Sequence, residues 1–277
     1  MAFVKNHLLF FIALLAFVAV SLFAFVVNTR DPELVVHFLN VGQGDAIFVE
    51  MPTGHTLLID GGLSGSETAY TIGSLLPFYE RDIDVVIATH LDSDHIGGLI
   101  SVLSYFDVGT IVVPQRRGDT TVLSSFWYMV DKEQSNVFTG EQGMKIAFGD
   151  DIVLEILSPA SDGLYFSENQ SSIVAKLSYK NDSFLFTGDI DERIERSLLV
   201  RTIDVSADVL KVAHHGSASS SLPAFIEAVS PTVAVIQVGK NSYGHPHKDV
   251  LHALRNTTIL RTDIHGHISI KSNGNSL

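Results

Sequence analysis

The chain contains no cysteine, so disulfides carry no information about its compartment, and such a chain suits either side of a membrane. Low-complexity tracts are also missing, which excludes a chain that is disordered throughout. Basic residues are scarce: 18 Lys and Arg stand against 31 Asp and Glu, a net charge of −13. All of the acids, and all of the bases except Lys5 and Arg30, lie beyond residue 30. That surface does not attract nucleic acid by itself, because non-specific DNA affinity comes from Lys and Arg neutralising phosphate. Any polyanionic substrate has to be held locally.

Long apolar runs are limited to one, Leu8 to Val27, uncharged and flanked by Lys5 and Arg30-Asp31-Pro32. Its length fits one helix across the hydrocarbon core. A cleaved signal peptide is the rival, but the run is long for one, and its Ala-x-small site, Ala19-Val20-Ser21, lies inside it. The expectation is therefore a short N-terminus with a single-pass membrane anchor over 1–30 and one large domain over 31–277. The slightly cationic start places that domain on the extracytoplasmic side.

Within the large domain, apolar runs bounded by turn residues predict strands at Leu34–Leu39, Ala46–Met51, Thr56–Ile59, Val85–Ala88, Ile111–Val113, Ile152–Leu157, Ile173–Tyr179, Phe184–Phe186, Val209–Ala213, Val233–Gln237, Ile259–Arg261 and Ile268–Ile270. Helical patterns cover Glu67–Phe78, Gly98–Phe106, Ser124–Glu133, Arg193–Leu199, Leu222–Val229 and Lys248–Arg255. Hairpins come first and strands then alternate with helices, twice over. That order predicts two sheets packed face to face with helices outside, in two similar halves.

The chemistry concentrates in Thr89-His90-Leu91-Asp92-Ser93-Asp94-His95-Ile96-Gly97-Gly98, just after a buried-strand pattern. Alternate residues leaving a strand point the same way, which gathers His90, Asp92 and Asp94, and His95 turns in as a helix starts. Imidazole and carboxylate at this spacing suit two divalent ions in one pocket. The competing reading is a polar loop with Asp92 or Asp94 as an N-cap. Other apolar runs also end in polar groups: Asp60-Gly61-Gly62, Thr187-Gly188-Asp189, and His214-His215-Gly216-Ser217. Each alone is ordinary turn chemistry. Together they point to a site at strand ends.

These segments resemble the metallo-β-lactamase superfamily, and more narrowly the C-terminal hydrolase domain of the ComEC family of competence proteins, which internalise DNA. The similarity runs from about residue 34 to 272 through His37-Phe38-Leu39-Asn40-Val41-Gly42-Gln43-Gly44-Asp45, Asp60-Gly61-Gly62, Thr89 to Gly98, Glu168-Asn169 with Ser171-Ser172, Thr187-Gly188-Asp189, His214 to Ser217, Ser242-Tyr243-Gly244-His245-Pro246-His247 and Arg261-Thr262-Asp263. It implies an α/β fold, a four-layer αββα sandwich, here preceded by one transmembrane helix. It also implies that His90 and position 92 serve one metal, Asp94 and His95 the other, that Asp189 bridges, and that His214 or His215 completes the second site. Asp60 resembles the buried acid that orients ligands.

The pattern departs from the superfamily's His-x-His-x-Asp-His at Asp92, and no histidine lies between His95 and His214 to complete the first site. Asn169 or Ser171 falls in that region. An oxygen-rich first site favours Mn²⁺, with Zn²⁺ or Mg²⁺ as alternatives, and argues against a β-lactamase. Two such ions activate a bridging hydroxide for attack on phosphorus. Ser217 or amides around Gly216 would hold a phosphate oxygen. His245 and His247 would contact phosphate or protonate the leaving oxygen, unless they are surface residues of a proline-fixed turn. Lys211, Lys240 and Lys248 read as solvated.

The expected activity is that of a metal-dependent phosphodiesterase or nuclease acting on DNA. A small-substrate phosphodiesterase, for example one removing phosphocholine groups, is the rival within the enzyme class. A non-catalytic module that keeps the fold is the rival outside it. With one apolar run, the chain is no uptake channel, so a role in competence needs a channel partner.

Overall fold

The computed structural model describes residues 2–28, 33–63, 65–115, 120–163, 165 and 167–277, without the side chains of 2–6, 8, 9 and 23–28. Arg30 to Pro32, where the expected domain boundary falls, and the Arg116-Arg117 pair lie outside the described residues. The chain forms two compact units, Met1–Pro32 and Glu33–Leu277.

The first unit is helix α1 (Ala2–Asn28). Its described side chains, His7 and those from Phe10 to Leu22, are exposed. The expectation of a single-pass membrane protein is overturned here, because among the described residues no helix is long and apolar enough to cross a membrane. The extracytoplasmic placement rested on that span and falls with it.

The second unit holds two seven-stranded mixed sheets. In the first lie β1 (Leu34–Phe38), β2 (Ile47–Glu50), β3 (Thr56–Ile59), β4 (Asp82–Ile87), β5 (Asp107–Val113) and β6 (Asn136–Thr139). The second contains β7 (Lys145–Ala147), β8 (Ile152–Ser158), β9 (Val174–Tyr179), β10 (Asp182–Phe186), β11 (Val209–Lys211), β12 (Val233–Ile236) and β13 (Thr258–Arg261). The final strand, β14 (Ile268–Ser272), returns to the first sheet beside β1.

Each sheet changes from antiparallel to parallel pairing at corresponding places. β1 to β3 are antiparallel neighbours and β3 to β6 run parallel. Likewise β8 to β10 are antiparallel and β10 to β13 parallel. The doubling expected from the order of hairpins and helices is present.

Side-chain alternation explains the layering. Leu57, Ile59, Val85 and Ile87 face Phe184, Phe186, Val209 and Val235 in a core between the sheets. The intervening Leu58 and Val86 point outward onto Ala69 and Ile72 of α2 (Glu67–Leu75), Ile96 of α3 (Ser93–Ile96), Leu99 and Val102 of α4 (Leu99–Tyr105), and Phe126 of α5 (Thr121–Glu133). On the other sheet, Leu185 and Leu210 pack on Ile194 of α6 (Glu192–Val200), Phe225 of α7 (Pro223–Val229) and Val250 of α8 (Lys248–Ala253). At ~25 cal/mol per Å² of apolar area removed from water, these three clusters are the main source of stability. A last short helix, α9 (Thr262–His265), precedes β14.

Some elements differ from expectation. β6 and β7 are short strands at sheet edges, and every residue of β6 is exposed, so no apolar alternation marks them. The first helix on the outer face stops at Leu75 because Pro77 follows. The helix expected from Gly98 is preceded by a separate turn, α3, which carries Asp94 and His95.

Candidate metal centre

Asp60 follows β3 and His90 follows β4, while Asp189 follows β10 and His214-His215 follow β11. All of them leave the carboxyl ends of strands where antiparallel pairing gives way to parallel. There the chain departs in divergent directions and opens a crevice between the sheets.

Three site residues sit in the left-handed backbone region: Asp60 (φ 59°), His214 (φ 52°) and His215 (φ 54°). Such a conformation costs ~1–2 kcal/mol for a residue with a Cβ, so tertiary contacts must hold it. Gly216, at φ 80°, completes the turn, and a Cβ there would lie 2.6 Å from Pro246 Cβ. The turn that carries the two histidines is thereby packed closely against Pro246. Gly98 lets the start of α4 approach the Asp60 turn: a Cβ would fall 1.8 Å from the Gly61 carbonyl oxygen.

Asp60 is buried and accepts from the Thr89 amide at 2.7 Å, the Thr89 hydroxyl at 2.6 Å and His95 Nδ1 at 2.8 Å. His95 thus donates from Nδ1 and turns Nε2 toward Asp189 Oδ2, 3.4 Å away. His215 is oriented in the same manner: Nδ1 donates to the Gln237 carbonyl at 2.9 Å, leaving Nε2 3.4 Å from both Asp189 Oδ2 and Asp94 Oδ2. Hydrogen bonds on the far nitrogen that fix tautomer and ring orientation are the usual support of metal-binding histidines.

The two Nε2 atoms have no hydrogen-bond partner although both are buried. Ligand atoms of His90, His95 and Asp189 lie within 4.8 Å of one another, as do those of Asp94, His95 and His215. Buried polar atoms converging without partners are costly unless a cation meets them. The residues present therefore fit divalent ions.

The electrostatics agree. Burial pulls His215 down, but Asp189 and Asp45 outweigh it and push its pKa up to about 10. For His95, burial is likewise overcome by Asp189 and Asp60, which raise it well above the usual range. Burial, aided by His95, drops His90 to about 3. Asp189 resists burial and is held well below the carboxylate range by His215 and His95. The carboxylates thus draw protons onto His95 and His215, the demand that divalent ions would answer in competition with protons.

The remaining expected residues fall at graded distances. Asp92 Oδ2 is 3.7 Å from His90 Nε2, with its side chain 46% exposed at the rim. His214 is half-buried, with Nε2 3.9 Å from Asp189 Oδ2 and 3.3 Å from Asn169 Nδ2. Of the pair, His215 is the one that enters the cluster. His245 places its ring 5.6 Å from that of His214. His247 instead caps α8, where Nδ1 accepts from the Asp249 amide at 3.3 Å. Ser217 turns into its own loop: its hydroxyl is 3.0 Å from that of Ser219, and its amide donates to the His214 carbonyl. Ser171 is buried and donates to the Glu168 carbonyl.

Lys211 corrects the reading that it is solvated. It is 1% exposed, its ammonium pairs with Asp45 Oδ2, lies 3.6 Å from Asp189 Oδ1 and donates to the Gly188 carbonyl at 3.0 Å. The signal was present in the strand pattern: Val209 faces the inner core and Leu210 the outer, so position 211 must face inward. Asp45, its partner, also stands 3.4 Å from His215 Nδ1 and 3.8 Å from His95 Nδ1. Burial would push the Asp45 carboxyl up, but Lys211 and His215 outweigh it and hold it below the usual range. Gln237 ties the sheets together beneath the site, donating to the Leu39 and Ala46 carbonyls at 3.0 and 2.9 Å.

Comparison with known proteins adds lineage to this geometry. The profile of the metallo-beta-lactamase superfamily matches residues 39–240. The chain is 31% identical to ComE operon protein 3 of Bacillus subtilis (strain 168), over 89% of this chain and 34% of that protein. To competence protein ComA of Neisseria gonorrhoeae it is 29% identical, over 85% of this chain and 32% of that one. It thus spans about one third of the length of these relatives. The crystal structure of the metallo-beta-lactamase fold protein YhfI from Bacillus subtilis matches with a TM-score of 0.59, covering 88% of this chain and 100% of that one at 11% identity, a likeness of fold alone.

Proposed function

The chain belongs to the metallo-beta-lactamase superfamily, whose members are in general metal-dependent hydrolases, and from that premise we propose that it is a phosphodiesterase with DNA as its substrate. The observation that carries the reading is the convergence of the partnerless Nε2 atoms of His95 and His215 on Asp189. The similarity to competence proteins supports the choice of substrate.

His90, Asp92 and Asp189 would hold one divalent ion, and Asp94, His95 and His215 a second, with Asp189 shared. When bound, such a pair supplies a water of lowered pKa and stabilises charge on the attacking and leaving oxygens of phosphate. Asp92 in place of a third histidine makes the first site rich in oxygen and favours Mn²⁺, with Mg²⁺ or Zn²⁺ as alternatives.

The protein's own groups do the rest. Asp60 and the Gln237 carbonyl hold the two imidazoles in the tautomer that presents Nε2. Lys211 offsets part of the carboxylate charge, so that a phosphodiester anion meets less repulsion. His245, its ring 5.6 Å from that of His214, stands at the rim, where it would contact the phosphate or the leaving oxygen.

A second reading is favoured by one observation. A net charge of −13 gives a polyanion no long-range attraction, which suits a small phosphodiester. The test uses the metal-stripped full chain, wild type and Asp94→Ala, given Mn²⁺, Mg²⁺ or Zn²⁺ in turn. Its substrates are bis-p-nitrophenyl phosphate and single- and double-stranded DNA. Turnover greatest with Mn²⁺ and reduced at least ~100-fold in the variant is expected. Cleavage of the ester but not of DNA would select the small-substrate reading, and no turnover with any metal would end both.

A further inference from the structure

The segment between β12 and α8 forms one lip of the crevice, and Asn241 organises it. Its Oδ1 accepts from the amides of Tyr243 and His245, each at 3.1 Å, and its Nδ2 donates to the carbonyls of Gly239 and His245, each at 2.9 Å. Two acceptor and two donor positions are the full capacity of a carboxamide. The lip is therefore set by its own bonds.

What it displays is an aromatic ring. Tyr243 is 74% exposed, with its ring 5.7 Å from that of His245 and inclined by 31°. His245 in turn lies 5.6 Å from His214, whose Nε2 is 3.9 Å from Asp189 Oδ2. The rings of His214, His245 and Tyr243 step outward from the ligand cluster to the surface. A ring held open to water forgoes the stabilisation that its burial would contribute. On a backbone fixed by Asn241, it offers a flat apolar face that a ligand can cover.

A phosphodiester seated on the cluster has two ester substituents. One of them, leaving along this lip, meets the polar edge of His245 first and the face of Tyr243 next. A nucleoside matches that order, with sugar hydroxyls or phosphate oxygens at the imidazole and a planar base on the phenol ring. A quaternary ammonium matches less well, since its recognition relies on a cage of several aromatic walls and this lip presents one tyrosine.

We propose that Tyr243 is a stacking platform that selects phosphodiesters bearing a nucleobase beside the scissile phosphate. The proposal rests on the phosphodiesterase reading above. Stacking requires only a π-face, so the preference would be for a base over no base and not for one sequence over another.

Two esters with the same leaving group separate this from general activity: thymidine 5′-(p-nitrophenyl phosphate) and methyl p-nitrophenyl phosphate, assayed with the Mn²⁺-loaded full chain. Tyr243→Ala is expected to lower kcat/KM for the thymidine ester about 5- to 150-fold, the range that base stacking implies, and to leave the methyl ester unchanged. Tyr243→Phe is expected to behave as wild type on both. Metal content measured beside the kinetics checks that each variant keeps its cluster. Equal loss on both esters, or no loss on either, would overturn the proposal, and so would selective loss on p-nitrophenylphosphocholine alone. Absence of turnover of every ester by the wild-type protein is a different result, which removes the phosphodiesterase reading and the platform with it.

Discussion

Lys211 and Asp45 form an ion pair at the floor of the site, both almost wholly withdrawn from water. Such a pair adds little net stability relative to an apolar pair, but removing one member strands the other's charge at a cost of ~3–5 kcal/mol. Lys211→Met is therefore expected to lower the urea unfolding free energy of the metal-free chain by that amount, whereas Asp45→Asn combined with Lys211→Met recovers most of it. Equal losses in the single and double variants would mean that packing, not charge, sets the cost. The position of Lys211 could be read from strand alternation, but its partner could not. Asp45 belongs to a distant loop, and no local pattern announces that it will meet Lys211 and His215.

At the scale of the element, α6 braces the loop that follows the paired histidines. Glu195 is buried and accepts from the amides of Ser221 at 2.6 Å and Leu222 at 2.8 Å, joining α6 to the start of α7. Burial, only partly countered by those amides, pushes its pKa up to about 7, against 4.5 for a free glutamate. The native state thus binds a proton that the unfolded chain releases near pH 4.5. The associated stability is complete below that pH and is lost as pH rises through about 7, a term on the order of 3 kcal/mol. Thermal unfolding from pH 4.5 to 8 should show a fall in wild-type stability relative to Glu195→Gln across this window. A difference between the two that stays constant with pH would rule it out. The helix itself was legible from its apolar spacing, and Asp191, two residues past Asp189, caps it. The edge strands β6 and β7 were not legible, because a short exposed strand owes its form to its neighbour and not to its own residues.

For the whole molecule, the consequence of the doubled topology is that the proposed ligands come from both sheets, His90, Asp94 and His95 from the first and Asp189 and His215 from the second. Bound ions would clamp the sheets together. Mn²⁺ at 100 times its dissociation constant should add ~2.7 kcal/mol per site to the stability of the metal-free chain, read as a rise in Tm that chelator reverses. His215→Ala should lose the contribution of the second site, and His214→Ala should keep it. The reverse order would reassign the pair.

The sequence by itself determined the sandwich class, the repeated order of hairpins and helices, and the cluster from His90 to His95. Each is written in short-range spacing: alternation at two residues, periodicity near four, ligands within one loop. Only the tertiary structure decided that His215 rather than His214 turns into the cluster, that Lys211 is sealed against Asp45, and that Tyr243 is left open to water. Those outcomes depend on contacts between segments far apart in the chain. The Gly216 turn packs closely against Pro246, and Asp45 is brought beneath β11 by the closing of one sheet on the other. Energies of that kind arise only when the whole core is packed, so no window of the sequence contains them.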